Sequence, residues 1–359
     1  MKIGLIGKSR SGKTTTFHLL TGTEPDPAAT FKHEVQQGVT HVPDERVDKV
    51  ADITGSHKRT CVTVEYVDAP AFDAGAAKSD WFTAALDGGV KYTDALLIVA
   101  RAFGADEISE PLDPLRDVLA VQDELILSDL IILEKRLERL ERQRKVKVLT
   151  TEDQLEVGLL QRANEQLAAG TPLRKMVLDP FEKKRLRGFQ FLSEKPALAV
   201  INAAENALPE AEASLADLHS KLNPHQITAI ALSANLEGEI ARLEPEARAV
   251  FMEDIGVTEL ARERVLKASF GMMDLITFLT TNDKENRAWP LRNGETALDA
   301  AAAVHTDLAR GFIRAEVVHF DDFTREGGYS HCKAKGLLRL EGKEYPVKDG
   351  DILLIRHSG

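Results

Sequence analysis

The stretch Gly7-Lys8-Ser9-Arg10-Ser11-Gly12-Lys13-Thr14 sets two glycines, a lysine and a hydroxyl in the spacing G-x-x-x-x-G-K-[ST]. These residue types at these intervals neutralise and cradle a triphosphate. Gly7 and Gly12 let backbone amides turn inward, Lys13 reaches the β and γ oxygens, and the Thr14 hydroxyl ligates Mg2+. Arg10, Ser11 and Thr15 complete the segment expected to meet phosphate. A chance match in a surface turn is the competing reading. Against it stands the context: residues 2–6 read as a buried strand and residues 15–20 as a helix, whose N-terminal dipole favours an anion.

A second metal ligand is expected at Asp68, where the β-forming run 61–67 ends, although an ordinary turn residue would look the same. Runs at 95–99, 197–201 and 227–232 are nearly all apolar, as parallel strands covered on both faces should be. They predict a doubly wound α/β sheet. Asn202 and Glu205 follow one of these strands, and Ser233 and Ala234 follow another. Ligands bind at such carboxyl ends, so these four residues are expected to line the base. Guanine-specific relatives read N-K-x-D at the first of these segments; here the lysine is missing and the carboxylate is one methylene longer. A carboxylate displaced from the guanine edge loses its bidentate partner, which predicts ATP over GTP. The bland alternative is that Asn202 and Glu205 only cap a helix beginning near Leu208.

At 359 residues the chain needs more than one core, and its 43% apolar content suffices to build them. The net charge of −11 argues against a generally basic nucleic-acid coat, so any RNA contact must be local. Cys61 and Cys332 are too far apart to suggest a metal site or a disulfide framework. With no membrane-length apolar run and no signal-peptide pattern, a cytoplasmic protein is expected.

Leu130, Leu133, Leu137 and Leu140 repeat at coiled-coil spacing, and a second helix near 153–169 returns through Leu160, Ala163 and Leu167. The intervening residues 147–151 form the tip. Arg142, Arg144, Lys145 and Lys147 make the outward half basic, suiting rRNA or another polyanion. A solvated face of i,i+4 pairs, Glu138 with Arg142 and Glu141 with Lys145, is the plain alternative. Lys183, Lys184, Arg185 and Arg187 are expected near the hairpin base. Beyond 275 the chain reads as a small β-rich module in which Trp289, Phe312 and Arg314 build either a core or a binding surface.

The order of these features, together with Ser233-Ala234-Asn235-Leu236-Glu237, Arg287-Ala288-Trp289, His305-Thr306-Asp307 and 311–317 near the end, resembles the Obg-like ATPases of the YchF subfamily. The resemblance implies an α/β P-loop NTPase with a doubly wound sheet, a helical coiled-coil insertion and a C-terminal β-grasp (TGS, ubiquitin-like) domain. It also implies ATP hydrolysis with Mg2+, ribosome association, and a protein partner for the TGS domain. The expected layout is 1–126 and 196–274 for the nucleotide-binding domain, 127–195 for the hairpin and 275–359 for the TGS-like domain. Departures lie in the switches. Thr30 stands nearest to the first-switch threonine, Ala71 replaces the glycine of D-x-x-G, and residues 78–83 replace a glycine-rich stretch. Phe72 sits where Ras-like proteins keep the glutamine that orients water. Slow hydrolysis is therefore expected, with no catalytic side chain identified. A non-hydrolysing adaptor or a GTP-binding protein are the alternatives.

Overall fold

The computed structural model describes residues 1–24, 35–69, 89–104, 111–254, 257 and 259–358. The chain divides into two compact units, one holding Met1–Thr40 with Glu65–Val265 and the other His41–Val64 with Leu266–Gly359. The strands are β1 (Lys2–Gly7), β2 (Gln36–His41), β3 (Lys58–Thr60), β4 (Thr63–Asp68), β5 (Ala95–Ala102), β6 (Ala197–Ala203), β7 (Ile227–Leu232), β8 (Leu275–Thr281), β9 (Glu285–Arg292), β10 (Phe312–His319), β11 (Arg339–Glu341) and β12 (Asp351–His357).

In the first unit the sheet order is β2-β4-β1-β5-β6-β7. β1 pairs in parallel with both β4 and β5, and β5-β6-β7 continue in parallel. The long apolar runs at 95–99 and 197–201 are legible for this reason: every residue of β6 and nearly every residue of β5 is buried. Strand order reverses across β1, so the carboxyl ends of β1, β4, β6 and β7 converge on the crevice where such sheets take ligands.

Helix α1 (Lys13–Thr21) follows β1 directly. Helix α2 (Glu45–Thr54) lies in the second unit, capped by the Asp44 carboxylate. Helix α3 (Pro114–Val146) starts earlier than the hairpin boundary expected at 127; Asp113 caps it and Pro114 takes the first helical position. Its 33 residues span about 50 Å. Helix α4 (Thr151–Ala168) returns behind a capping box of Thr150 and Asp153. Leu133, Leu140, Leu160, Ala163 and Leu167 form the buried seam, with Leu130 and Leu137 at its margin. Arg136 spans the two helices by donating to both Glu156 oxygens, at 2.7 and 2.9 Å.

Polar groups fasten the hairpin root to the sheet. Asp129 is fully buried and accepts the backbone amides of Leu192 and Ser193, at 2.8 and 2.7 Å. Arg174 donates to the Gln122 carboxamide and to the Lys195 carbonyl. Burial raises the Asp129 carboxyl to about 7, against the Ser193 hydroxyl and the two amides that hold it down.

The second unit carries a sheet ordered β11-β10-β12-β8-β9-β3. Helix α5 (Ala297–Val304) contributes Ala297, Ala300 and Ala301 to a core with Phe278, Phe312 and Leu353. Trp289 packs at the edge of this core with its indole N–H on Thr280 Oγ1, and Phe312 is buried within it; Arg314 is exposed. The two aromatic residues therefore belong to the core. Residues 41–64 depart from the expected layout, which kept them in the nucleotide-binding domain: β3 pairs in parallel with β9, from Lys58 opposite Glu285 to Thr60 opposite Arg287. Three residues of polar sequence gave no strand signal. Burial raises both thiols, Cys61 and Cys332, which disfavours the reactive thiolate.

Because the folded chain holds the Asp129 proton more tightly than the unfolded chain, stability falls as pH rises from about 4 to about 7. The carboxamide of the D129N variant stays neutral throughout. Denaturant unfolding should show wild type losing about 2 to 3 kcal/mol relative to D129N between pH 5 and pH 8.

Candidate functional site

The loop between β1 and α1 turns on two residues with left-handed backbones, Arg10 at φ 62 and Gly12 at φ 81. Gly12 is required twice over, by that φ and because a Cβ there would collide with the Asn202 carboxamide. At Gly7 a Cβ would come within 2.5 Å of the Val99 carbonyl. The inner wall of the loop has no room for side chains at these two positions, as a backbone-amide phosphate cradle demands. The Ser11 hydroxyl is buried in it with no hydrogen-bond partner among the described residues.

Lys13 is buried and forms an ion pair with Asp68 at the end of β4. Burial lowers its ammonium pKa, while the Asp68 carboxylate opposes that shift. Thr14 Oγ1 donates to the other Asp68 oxygen at 2.8 Å. A hydroxyl and a carboxylate side by side are hard oxygen donors, a set that suits Mg2+. Lys13 and Thr14 thus share one cluster with the sequence-distant Asp68. Thr15 points to the surface, and Thr16 donates its hydroxyl back to the Gly12 carbonyl at 3.0 Å.

Asn202, expected to line the base, turns its carboxamide to backbone on both sides. Its amide nitrogen donates to the Ser11 carbonyl at 3.2 Å, and its oxygen accepts the Ala234 amide at 3.1 Å. It ties the phosphate loop to the loop after β7. Neither Asn202 nor Glu205 caps the following helix, whose N-cap is Ala207 without a side-chain bond. Glu205 is exposed in the turn after β6, while Ser233 and Ala234 are buried beside the tie. The expectations at Thr30, Ala71, Phe72 and 78–83 lie outside the described residues.

Two contacts escaped sequence reading. Lys8 donates to Asp117 in the first turn of α3 at 3.1 Å, which joins the phosphate loop to the helix leading to the hairpin. Glu237 accepts the amides of Ala261 and Arg262, at 2.9 and 2.7 Å, capping the helix Ala261–Gly271. The carboxylate in Ser233–Glu237 was the available signal, but its partner lies more than twenty residues on.

At the hairpin tip, Glu138 does pair with Arg142, at 3.2 Å. Among the described residues no ion pair engages Arg144, Lys145 or Lys147. They rim a cavity of about 750 Å3 whose apolar lining includes Val146 and Val148, 88% and 89% exposed. Within the cluster 183–187, expected near the hairpin base, Arg185 donates to the Glu152 carbonyl in the first turn of α4, while Lys183 and Arg187 lie close enough to Glu194, beside the root, to favour its charged form.

Replacing Asn202 by alanine leaves the Ala234 amide and the Ser11 carbonyl unpaired. Nucleotide affinity, read by calorimetry, should fall about tenfold or more, and G12A should abolish it.

The family model YchF-GTPase_C, described as a protein of unknown function, matches residues 275–358. A protein named ribosome-binding ATPase YchF from Haemophilus ducreyi is 34% identical, covering 99% of each chain, and one of the same name from Bacillus subtilis is 32% identical over 99% of this chain and 98% of its own. The solved structure of the Schizosaccharomyces pombe YchF GTPase superposes with TM-score 0.85 at 24% identity, over 99% of this chain and 97% of that one. A GTP-binding protein from Pyrococcus horikoshii OT3 gives TM-score 0.61 at 20% identity over the whole of both chains.

Proposed function

The chain belongs to the YchF family, and on that premise we propose that it is a ribosome-associated nucleotide switch that binds ATP in preference to GTP with Mg2+ and hydrolyses it slowly. The observation that carries the reading is the cluster of Lys13, Thr14 and Asp68 beneath a loop whose inner wall admits only backbone at Gly7 and Gly12. In this reading the loop amides and Lys13 hold the β and γ phosphates, with Gly7, Arg10, Ser11, Gly12 and Thr15 around them. Thr14 and Asp68 hold Mg2+, which when bound neutralises phosphate charge. Lys13 then exchanges one anionic partner for another, keeping its charge compensated in a buried place.

The base preference rests on the turn after β6. Glu205 is exposed, and no lysine precedes it, so the bidentate guanine contact has no counterpart among these residues. Asn202, Ser233 and Ala234 form the floor on which the base lies. Ribosome association draws on the names of the relatives and on the tip, where Arg144, Lys145 and Lys147 rim the cavity and Arg142, paired with Glu138, adds to a positive field for a polyanion. A cytoplasmic location accords with such a partner, and the C-terminal unit offers a second surface for a protein.

Ala71 and Phe72 favour a second reading, a nucleotide-binding adaptor that does not turn over. Phosphate release separates the two: wild type should exceed K13A, with or without ribosomes, and equality at background leaves the adaptor. Unlabelled GTP should displace labelled ATP at least about tenfold less well than ATP does; equal displacement defeats the base assignment. In co-sedimentation with ribosomes, K145E/K147E should retain little binding at low salt, while its nucleotide affinity stays that of wild type.

A further inference from the structure

We propose that the hairpin tip docks protein and not RNA: an acidic peptide segment seats apolar side chains in the cavity lined by α3 and α4 and sets its carboxylates on Arg144, Lys145 and Lys147. The proposal deepens the reading above that the tip receives a polyanion, and rests on it.

Apolar surface and positive charge meet here. Val146 and Val148 stand almost wholly in water on either side of Lys147. Exposed valines scattered singly need no explanation. These two open onto a cavity that Leu137, Leu140 and Val157 also line, so the apolar surface continues from solvent into the hairpin seam. At about 750 Å3 the cavity is of a size that receives a ligand's side chains. Against its three cations the lining holds one acid, Glu141.

The tip is also built before a partner arrives. Thr150 and Asp153 cap α4 reciprocally, Gln143 Nε2 donates to Asp153 across the tip at 3.4 Å, and Gln154 Nε2 donates to the Leu149 carbonyl at 3.4 Å. A partner that docks on walls already fixed pays little for ordering them.

Arg144 and Lys145 in the last turn of α3 suit the negative end of its dipole, but that accounts for no apolar side chain held in water. RNA accounts for the cations and not for the cavity. Phosphates need only positive charge, and bases held as single strands stack on aromatic rings. Among the described residues none of those lining the cavity is aromatic. A peptide with apolar side chains on one face and carboxylates at its margins uses both halves of the surface, as an amphipathic helix does in a groove.

The test uses the full chain with V146S/V148S, which keeps every charge, and K145E/K147E. Probes are a synthetic glutamate-rich helical peptide with leucines at i, i+3, i+4 and i+7, the same peptide with serines for leucines, a single-stranded RNA of about 20 nucleotides, and ribosomes. By fluorescence anisotropy wild type should bind the leucine peptide at least about tenfold more tightly than the serine peptide, and each variant should lose about tenfold or more of that affinity. In co-sedimentation V146S/V148S should leave the ribosome as K145E/K147E does, with ATP affinity unchanged. Equal binding of the two peptides overturns the proposal, as does V146S/V148S sedimenting like wild type or RNA binding wild type more tightly than the leucine peptide. Self-association of wild type that V146S/V148S abolishes, read by analytical ultracentrifugation, makes the occupant a second copy and overturns it likewise. Wild type that binds the leucine peptide but does not sediment with ribosomes upholds the docking site and defeats the ribosome reading.

Discussion

One buried carboxamide holds the nucleotide region together. Asn202 fills both of its hydrogen-bonding directions with backbone, one from the phosphate loop and one from the loop after β7. A phosphate cradle works by fixing amides before the anion arrives, since dipoles that must reorient give back much of what they stabilise. The tie supplies that rigidity where the chain is least regular. It also explains the glycine beneath it, because the carboxamide occupies the space a Cβ would need.

From this anchor a chain of polar contacts leads outward through the first unit. Lys8 reaches Asp117 at the start of α3, Gln122 meets Arg174 further along the same helix, and Asp129 takes two amides near Ser193. These fasten a single helix that continues to the basic tip at Val146. A buried polar contact is costly when broken and so tolerates few geometries. The helix root and the phosphate loop are in this way parts of one hydrogen-bonded structure.

Much of this was legible. The phosphate loop is a local motif, and the buried strands announce themselves as apolar runs because both sheet faces are covered. The hairpin seam was readable from leucine spacing, since period and packing are the same fact in a coiled coil. What escaped was non-local. Asn202 was legible as a polar residue at the carboxyl end of a strand, but only the fold shows that both of its hydrogen-bonding directions are taken by backbone. The contact of Arg185 escaped because a short helix says nothing by itself about which end of α4 it lies against. The short β3 was invisible because three polar residues at a sheet edge carry no pattern.

That short strand bears on how such a protein was assembled. The edge of the second sheet is completed by residues 58–60, which the ribosome makes more than two hundred residues before β9. The segment 275–358 is thus a unit of sequence kinship and not a self-sufficient cassette. Moved alone by recombination, it would arrive with the β9 flank bare, an open invitation to pair with a stranger. The excursion at 41–64 binds the two ends of the gene to a common inheritance.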